Sequence, residues 1–286
     1  ASDVYKRQVM CPPIYLSNKI KNNKWMEEDN STINVGRALF QWNCLYELMT
    51  SDAIVYLLSP KPHLQDQTYV NSFVVLAHRP DVAILSNFRA AGRQEEEREA
   101  GALLSSLGFK VYQAPKYFEG WPELKHIHDN IYVAGYGERS TLKTQQYLAD
   151  VFDYKIIPVK TSPYLYHLDC LFFKLSPEYA IVAVDDVPKD ALKAISREIE
   201  ILPANHNDAL QGICNSIKLR NIIINATNEE ELKGAERKVE VAKNEKLVEY
   251  AELAGLEVVF VNLSEFLKSG ALASCLVAPL NYRHEE

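Results

Sequence analysis

The sequence predicts an α/β fold built from repeated strand-strand-helix-strand units. Three observations lead there. Short apolar runs rich in β-branched and aromatic residues recur in pairs. Each pair is followed by a stretch with apolar residues at helical spacing and then by one more apolar run. The pattern returns about five times, every ~40–60 residues, a period characteristic of closed repeat architectures. Taken in order, residues 73–77 and 82–88 read as strands flanking the turn-forming His78-Arg79-Pro80-Asp81. Residues 93–107 read as a helix, with Ala100, Leu103, Leu104 and Leu107 at helical spacing and Gly108 as its stop, and residues 109–113 as the next strand. Residues 131–135, 142–152 and 155–160 repeat the strand, helix, strand order. Residues 171–174 and 179–184 read as strands, 188–197 as a helix with Pro188 at its start, and 199–202 as a strand. Residues 213–219 and 222–225 are strands, 229–255 a long charged helix and 257–262 a strand. Residues 275–280 make a strand that can pair with residues 9–12, followed by a helix over 36–50 and a strand over 53–58. Pairing strands from both chain ends would close the ring and leave no exposed edge. A doubly wound sheet alternates strands and helices as well and stays as the competing architecture. It expects Gly-x-Gly-x-x-Gly between strand and helix, whereas Gly135-Tyr136-Gly137 has two glycines and runs on into Arg139.

Composition narrows the class. With 47% hydrophobic and 24% charged residues, the chain has the make-up of an ordinary globular protein. A net charge of −7 argues against a nucleic-acid partner, which needs a basic face. No apolar run approaches the ~18 residues of a membrane helix. The five cysteines (Cys11, Cys44, Cys170, Cys214, Cys275) include no Cys-x-x-Cys pair, so they read as reduced thiols of a cytoplasmic protein. His126-Ile127-His128 could place two metal ligands on one strand face, but no third ligand is suitably spaced, and no metal is expected. At the start, Asp3-Val4-Tyr5-Lys6-Arg7-Gln8 looks like a translated sequencing-library adapter. Residues 1–8 are therefore expected to be a non-native leader, and residues 9–286 a single domain.

Three distant segments offer a thiol, an imidazole and a carboxylate: Ser264-Glu265-Phe266-Leu267-Lys268-Ser269-Gly270-Ala271-Leu272-Ala273-Ser274-Cys275, Tyr166-His167-Leu168-Asp169, and Phe118-Glu119-Gly120-Trp121. A nucleophile, a proton carrier and an orienting acid are the parts of a covalent-catalysis site. Taken alone, Cys275 reads as a buried small hydrophobe and His167 as a histidine bonded to backbone. The other six histidines lie in polar surroundings. Gly120 permits a close backbone approach.

In this order the three segments resemble the guanidine-modifying enzymes: dimethylarginine dimethylaminohydrolases, arginine deiminases and amidinotransferases. The resemblance spans residues 9–281 and implies a five-bladed pseudo-symmetric α/β propeller, the pentein fold. It implies Cys275 as nucleophile, His167 as proton carrier and Glu119 as the acid that orients the imidazole. After Gly120 this chain departs from the family pattern, with Trp121, Pro122 and Glu123 where a second glycine and an aspartate are expected, so Trp121 could shape the pocket. Asp66 and Asp169 resemble the acids that clamp a planar guanidinium through its edge N–H groups. If the segment is extended, Asp169 and His167 face one side. Tyr69 stands at the family's aromatic position. Six residues after Asp66, relatives carry Asp or Asn; here that place holds Ser72, with Asn71 beside it. Arg139 matches a Gly-x-x-x-Arg step that binds a substrate carboxylate, and Arg89 and Arg93 resemble a second such step. Residues 14–23, polar and lysine-rich, could form a lid. The run Glu95-Glu96-Glu97 reads as a solvated helix face.

The resemblance implies attack of Cys275 on the guanidinium carbon of arginine or a methylated arginine, then hydrolysis of a covalent amidino-Cys intermediate, with no cofactor. An amidinotransferase would use the same machinery with an amine in place of water; hydrolysis is favoured because the compact chain has little extra from which to build an acceptor site. A non-catalytic propeller of the kind found in ribosome-binding translation factors has no reason to hold Cys275, His167 and Glu119 together. A papain-like thiol protease expects its Cys ahead of its His. The expected partner is a small guanidino substrate, with neither nucleic acid nor membrane; a homodimer is compatible with the sequence.

Overall fold

The structure, a computed structural model, describes residues 6–280. In chain order, β1 (Lys6–Met10), α1 (Lys24–Glu28), α2 (Val35–Thr50) and β2 (Ala53–Leu57) come first. Next are β3 (Phe73–Leu76), β4 (Arg79–Leu85), α3 (Glu96–Ser106) and β5 (Lys110–Gln113). The third group is β6 (Leu124–His128), β7 (Ile131–Tyr136), α4 (Leu142–Phe152) and β8 (Lys155–Lys160). The fourth is β9 (Phe172–Lys174), β10 (Tyr179–Ala183), α5 (Lys189–Ile195) and β11 (Glu200–Ala204). The chain finishes with α6 (His206–Leu210), β12 (Ile217–Leu219), β13 (Ile222–Ala226), α7 (Gly234–Leu253), β14 (Glu257–Val261), α8 (Ser264–Leu267) and β15 (Ala278–Pro279).

Among the described residues the strands form five three-stranded sheets. Each is made the same way. A first strand pairs antiparallel with the central strand, and a third, reached through a helix, pairs parallel with it, as in β3–β4–β5 and β6–β7–β8. A parallel partner needs a crossover and an antiparallel one does not, so the strand-strand-helix-strand order dictates this pairing. One sheet joins the chain ends: β15 runs antiparallel to β1 (Gln8↔Pro279, Val9↔Ala278), and β1 runs parallel to β2. The predicted repeat and the meeting of the two ends are both present, in a mixed α/β fold. Apolar clusters fill the space between neighbouring blades; one gathers Leu45 and Met49 of α2 with Phe266, Leu276 and Ile224.

Several boundaries differ from the sequence expectation. Lys6, Arg7 and Gln8, set apart with the leader, form three of the five residues of β1 and pair with Ala53, Ile54 and Val55; residues 1–5 lie outside the described part. Cys275 does not open a strand but sits in a 3-10 turn, Ala273–Leu276. The helix expected over 93–107 is split: Ala91–Arg93 is a 3-10 turn, Glu95 is left-handed (φ 83°), and α3 starts at Glu96. Glu96 is 1% exposed, not solvated, because it pairs with Arg93. Strand β6 has no counterpart among the expected elements, because Lys125, His126 and His128 interrupt its apolar run. Helix α7 starts at Gly234, five residues after the expected 229.

Candidate active site

Two glycines set the backbone around the three chemical segments. Gly120 has φ 53°, and a Cβ there would stand 2.5 Å from the Phe73 carbonyl and 2.7 Å from that of Asn71. The loop carrying Glu119 can therefore press against the start of β3 only with glycine at this place. Gly270 (φ 68°) ends the turn after α8 with the Trp25 ring against its α-carbon, where a Cβ would meet that ring at 2.6 Å. The chain then runs through extended Leu272 into the turn bearing Cys275.

Cys275 is 4% exposed. Its carbonyl accepts from the Val70 amide at 2.8 Å, which ties it to the Asp66–Asn71 loop. Its Sγ lies 3.8 Å from Asp169 Oδ2 and 3.4 Å from Asn215 Nδ2. Asn215 Nδ2 is also 3.2 Å from Asp169 Oδ2, and Asn215 Oδ1 accepts from the Ser274 amide at 2.9 Å. Ser274 Oγ donates to Asp169 Oδ2 at 2.6 Å. One carboxylate and one amide thus hold the Ser274–Cys275 turn. Burial, and then the negative charge of Asp169, push the Cys275 thiol up to about 12.

His167 is extended (φ −124°, ψ 157°), and the chain then enters a 3-10 turn over Leu168–Cys170. The strand alternation expected to turn His167 and Asp169 to one side is therefore absent. His167 Nε2 meets Glu119 Oε2 at 2.8 Å, whereas Asp169 meets Ser274, Asn215 and Cys275. Glu119 is fully buried, with Arg139 Nη1 3.4 Å from its other oxygen. Burial works to raise its carboxyl, but Arg139 and the His167 hydrogen bond overcome this and hold it at about 2. Burial also lowers His167 below its ordinary value, against the pull of Glu119. An ionised Glu119 beside a neutral imidazole is the resting arrangement, because Arg139 and Arg93 stabilise the carboxylate independently of the histidine.

Cys275 lines a small cavity of about 10 Å³ with Asp66, Tyr69, Asn71, Arg93, Arg139 and Tyr166. Tyr166 and Asp169, on either side of His167 in the chain, both reach the surroundings of Cys275. Asp66 Oδ2 accepts from Asn22 Nδ2 at 2.5 Å and from Gln65 Nε2 at 3.2 Å. Asp66 Oδ1 and Asn71 Oδ1 are buried and have no hydrogen-bond partner among the described residues. Burial raises the Asp66 carboxyl, while Arg93 draws it down. Arg93 is held by Glu96 (3.0 and 2.7 Å) and by the Tyr69 carbonyl (2.8 Å). Arg139 donates to the Asn22 carbonyl at 2.7 Å and lies 5.0 Å from the centre of the Tyr166 ring.

Two expected contributors lie elsewhere. Arg89 is exposed and points to the Gly137 and Glu138 carbonyls (3.4 and 3.3 Å), outside the cavity lining. Phe88 explains the separation: it is buried under the Arg93 guanidinium, 4.6 Å from ring centre to Cζ, so only Arg93 is drawn inward. Trp121 lines a second cavity, beneath Lys125. Ser72 is buried but does not line the Cys275 cavity, whereas Asn71 does. His126 bonds the Asp129 carbonyl, and His128 bridges Asp129 and Glu198. Asn215 carries no sequence motif that would mark it as part of the site. Asn22 is legible only as part of a lid, although it reaches both Asp66 and Arg139.

Five such blades around a buried thiol, an imidazole–carboxylate pair and two further acids define the class: a pentein of the guanidine-modifying type. The chain belongs to the family described as N,N dimethylarginine dimethylhydrolase, eukaryotic, which matches residues 14–282. It is similar to the bifunctional arginine dihydrolase/ornithine cyclodeaminase AgrE of Nostoc sp., 30% identical over 281 residues, or 94% of this chain and 37% of that protein. The corresponding ArgZ of Synechocystis sp. is 30% identical over 278 residues, with the same shares. The chain thus spans 37% of the length of these curated relatives. A dimethylarginine dimethylaminohydrolase of Mycobacterium tuberculosis is 27% identical over 57% of this chain and 54% of its own length. Among solved structures, the N-terminal domain of an ArgZ Cys-to-Ser variant bound to substrate aligns with a TM-score of 0.83 at 28% identity, over 96% of this chain and 98% of that one. A second ArgZ N-terminal domain, covalently bound to a reaction intermediate, aligns with a TM-score of 0.83 at 29% identity over the same shares. Among the described residues, no helix is long and apolar enough to cross a membrane.

Proposed function

We propose that this chain hydrolyses the guanidinium carbon of arginine or an arginine-like compound through a covalent amidino intermediate on Cys275. One observation carries the reading. Cys275 shares a small cavity with Asp66 and Asn71, whose outer oxygens have no partner among the described residues, and with two buried arginines. A planar cation edged with N–H groups matches the acceptors, and an α-carboxylate matches Arg139 and Arg93. Asp169, on the Cys275 side, supplies a further carboxylate.

The thiol attacks the guanidinium carbon, forming C–S. The leaving C–N bond breaks, and the thiol proton reaches the departing nitrogen with His167 as carrier. Glu119 orients the imidazole and stabilises its charged form during transfer. Water, deprotonated by His167, then attacks the amidino carbon; the thiol leaves and a urea-type product forms. The cavity of about 10 Å³ has room for about one water molecule. Substrate therefore enters by displacing the segment that carries Asn22, whose amide and carbonyl engage the same Asp66 and Arg139 that a substrate would use.

Hydrolysis rather than transfer agrees with the relatives, which are named bifunctional arginine dihydrolase/ornithine cyclodeaminase and dimethylarginine dimethylaminohydrolase. The test is a panel of arginine, methylated arginines, agmatine and guanidinoacetate, each with and without glycine or ornithine. Release of ammonia or amine without an acceptor, from substrates bearing an α-carboxylate, is the expected result. Turnover only with an acceptor would overturn hydrolysis in favour of transfer. Equal turnover of agmatine would overturn the carboxylate assignment of Arg139 and Arg93.

A further inference from the structure

Glu123 is a fully buried carboxyl that the reaction above leaves without a task. It ends the 3-10 turn Trp121–Glu123 that follows Gly120. A Cβ placed on Gly135 would stand 1.8 Å from Glu123 Oε2 and 2.9 Å from the Leu168 Cβ. The carboxyl therefore fills the space over Gly135, in the central strand β7, and lies against Leu168. A side chain at 135 would expel it. Gln145 of α4 fixes the same place: its Nε2 donates to the Glu123 carbonyl at 3.1 Å and to the Gly135 carbonyl at 3.0 Å. Leu168 is the residue between His167 and Asp169, where the extended chain enters its 3-10 turn. That turn sends His167 to Glu119 and Asp169 to Ser274 and Asn215.

The state of this carboxyl follows from its surroundings. Among the described residues neither of its oxygens has a hydrogen-bond partner. The charged groups that act on it are Glu119 and Asp169, which disfavour ionisation, and Arg139 and Lys125, which favour it. Burial first, and then those two carboxylates, push it well above the usual carboxylate range; the Leu168 amide and Arg139 pull the other way. Carrying a proton, Glu123 becomes a donor. Gln145 Oε1, buried and also without a partner among the described residues, is an acceptor held at the same place. We propose that Glu123 is a positioning residue of the Cys275 site: its carboxyl, as the uncharged acid, wedges Leu168 and so keeps His167 and Asp169 on their separate partners. The consequence for turnover rests on the proposed roles of Cys275 and His167; the wedge itself does not.

Two measurements on the full chain test the wedge without substrate. The folded state keeps a proton that the unfolded chain releases in the ordinary carboxylate range. From about pH 5 upward, the unfolding constant of the wild type should therefore rise relative to that of Glu123→Gln, by up to about tenfold per pH unit. A ratio that stays constant with pH would overturn the uncharged acid. In Glu123→Ala the unsupported turn lets Asp169 leave the thiol. Iodoacetamide should then alkylate Cys275 at least about threefold faster than in the wild type, whereas Glu123→Gln, uncharged and of equal length, should stay within about twofold. If Glu123→Ala does not fold by circular dichroism, Glu123→Asp, one methylene shorter, replaces it with the same expectation. A truncated variant that alkylates at the wild-type rate, or a Gln variant as fast as the truncated one, would overturn the wedge. With L-arginine, truncation should lower kcat by about 10–100-fold with KM within about threefold, and Glu123→Gln should restore most of it. An undiminished kcat after truncation would overturn the positioning role. Absence of wild-type turnover would count against the reaction alone, since stability and alkylation read Glu123 without it.

Discussion

At the residue scale, the governing fact is that Cys275 is poised as a thiol. Burial and Asp169 hold it up at about 12, so near neutral pH very little is thiolate, the reactive form. In the proposed reaction, a guanidinium seated against the acids brings a positive charge beside the sulfur and favours the thiolate only when there is something to attack. Two opposed effects follow for Asp169→Asn. Removing the negative neighbour makes the thiol more acidic and raises its thiolate fraction. Alkylation of Cys275 by iodoacetamide in the absence of substrate should therefore be roughly three- to tenfold faster. Turnover should instead fall, because a clamp for the cation is gone. Parallel losses in both measurements would contradict the arrangement. In the wild type, the alkylation rate should still be rising through about pH 10, below the raised pKa. Glu119→Gln should lower kcat by about 10²–10⁴-fold, because the charged imidazole loses its carboxylate.

At the element scale, the site depends on loops pressed together by glycine and by a buried ion pair. Arg93 and Glu96, 4% and 1% exposed, bridge the 3-10 turn before α3 to that helix. Glu96→Gln removes the carboxylate that pairs directly with the buried Arg93 and should destabilise the protein by about 3–5 kcal/mol, measured by urea unfolding. A change under about 0.5 kcal/mol, typical of surface sites, would show that the pair is not buried in solution. This region also shows where sequence stops being informative. Glu95-Glu96-Glu97 reads as solvated because charge runs usually are, and nothing local says that Arg93 folds back on the middle glutamate. The choice between Arg89 and Arg93 is open in the sequence for the same reason: the seating of the Arg93 guanidinium over Phe88 is a tertiary fact. Helix α4 and strand β8 are readable to the residue because their apolar spacing is regular, whereas the polar β6 is not. Cys275, His167, Glu119 and Asp66 stand out through short motifs. Asn215 cannot, since its contacts reach 46 and 60 residues along the chain through an ordinary amide.

At the scale of the whole molecule, five blades close only because the last strand returns to the first. The repeat is visible in the sequence through its alternating strand and helix patterns. Five-fold closure is not, since a doubly wound sheet shares that alternation; the pairing of β15 with β1 distinguishes them. Leu280, six residues from the end of the sequence, is fully buried and donates its amide to the Arg7 carbonyl at 2.9 Å. Leu280→Ala should therefore destabilise the protein by about 2–5 kcal/mol, as a mid-core leucine would. A near-zero effect would show a frayed ring.

The ring sets the Cys275 sulfur beside Asp169 and the His167 imidazole beside Glu119, and the proposed function makes covalent chemistry at Cys275 its central claim. The most direct test is mass spectrometry of protein quenched in acid during turnover of L-arginine. The expected result is a mass gain equal to arginine less ammonia, mapped to the peptide bearing Cys275 and lost, along with at least about 10³-fold of activity, in Cys275→Ala. Undiminished turnover by that variant would contradict it.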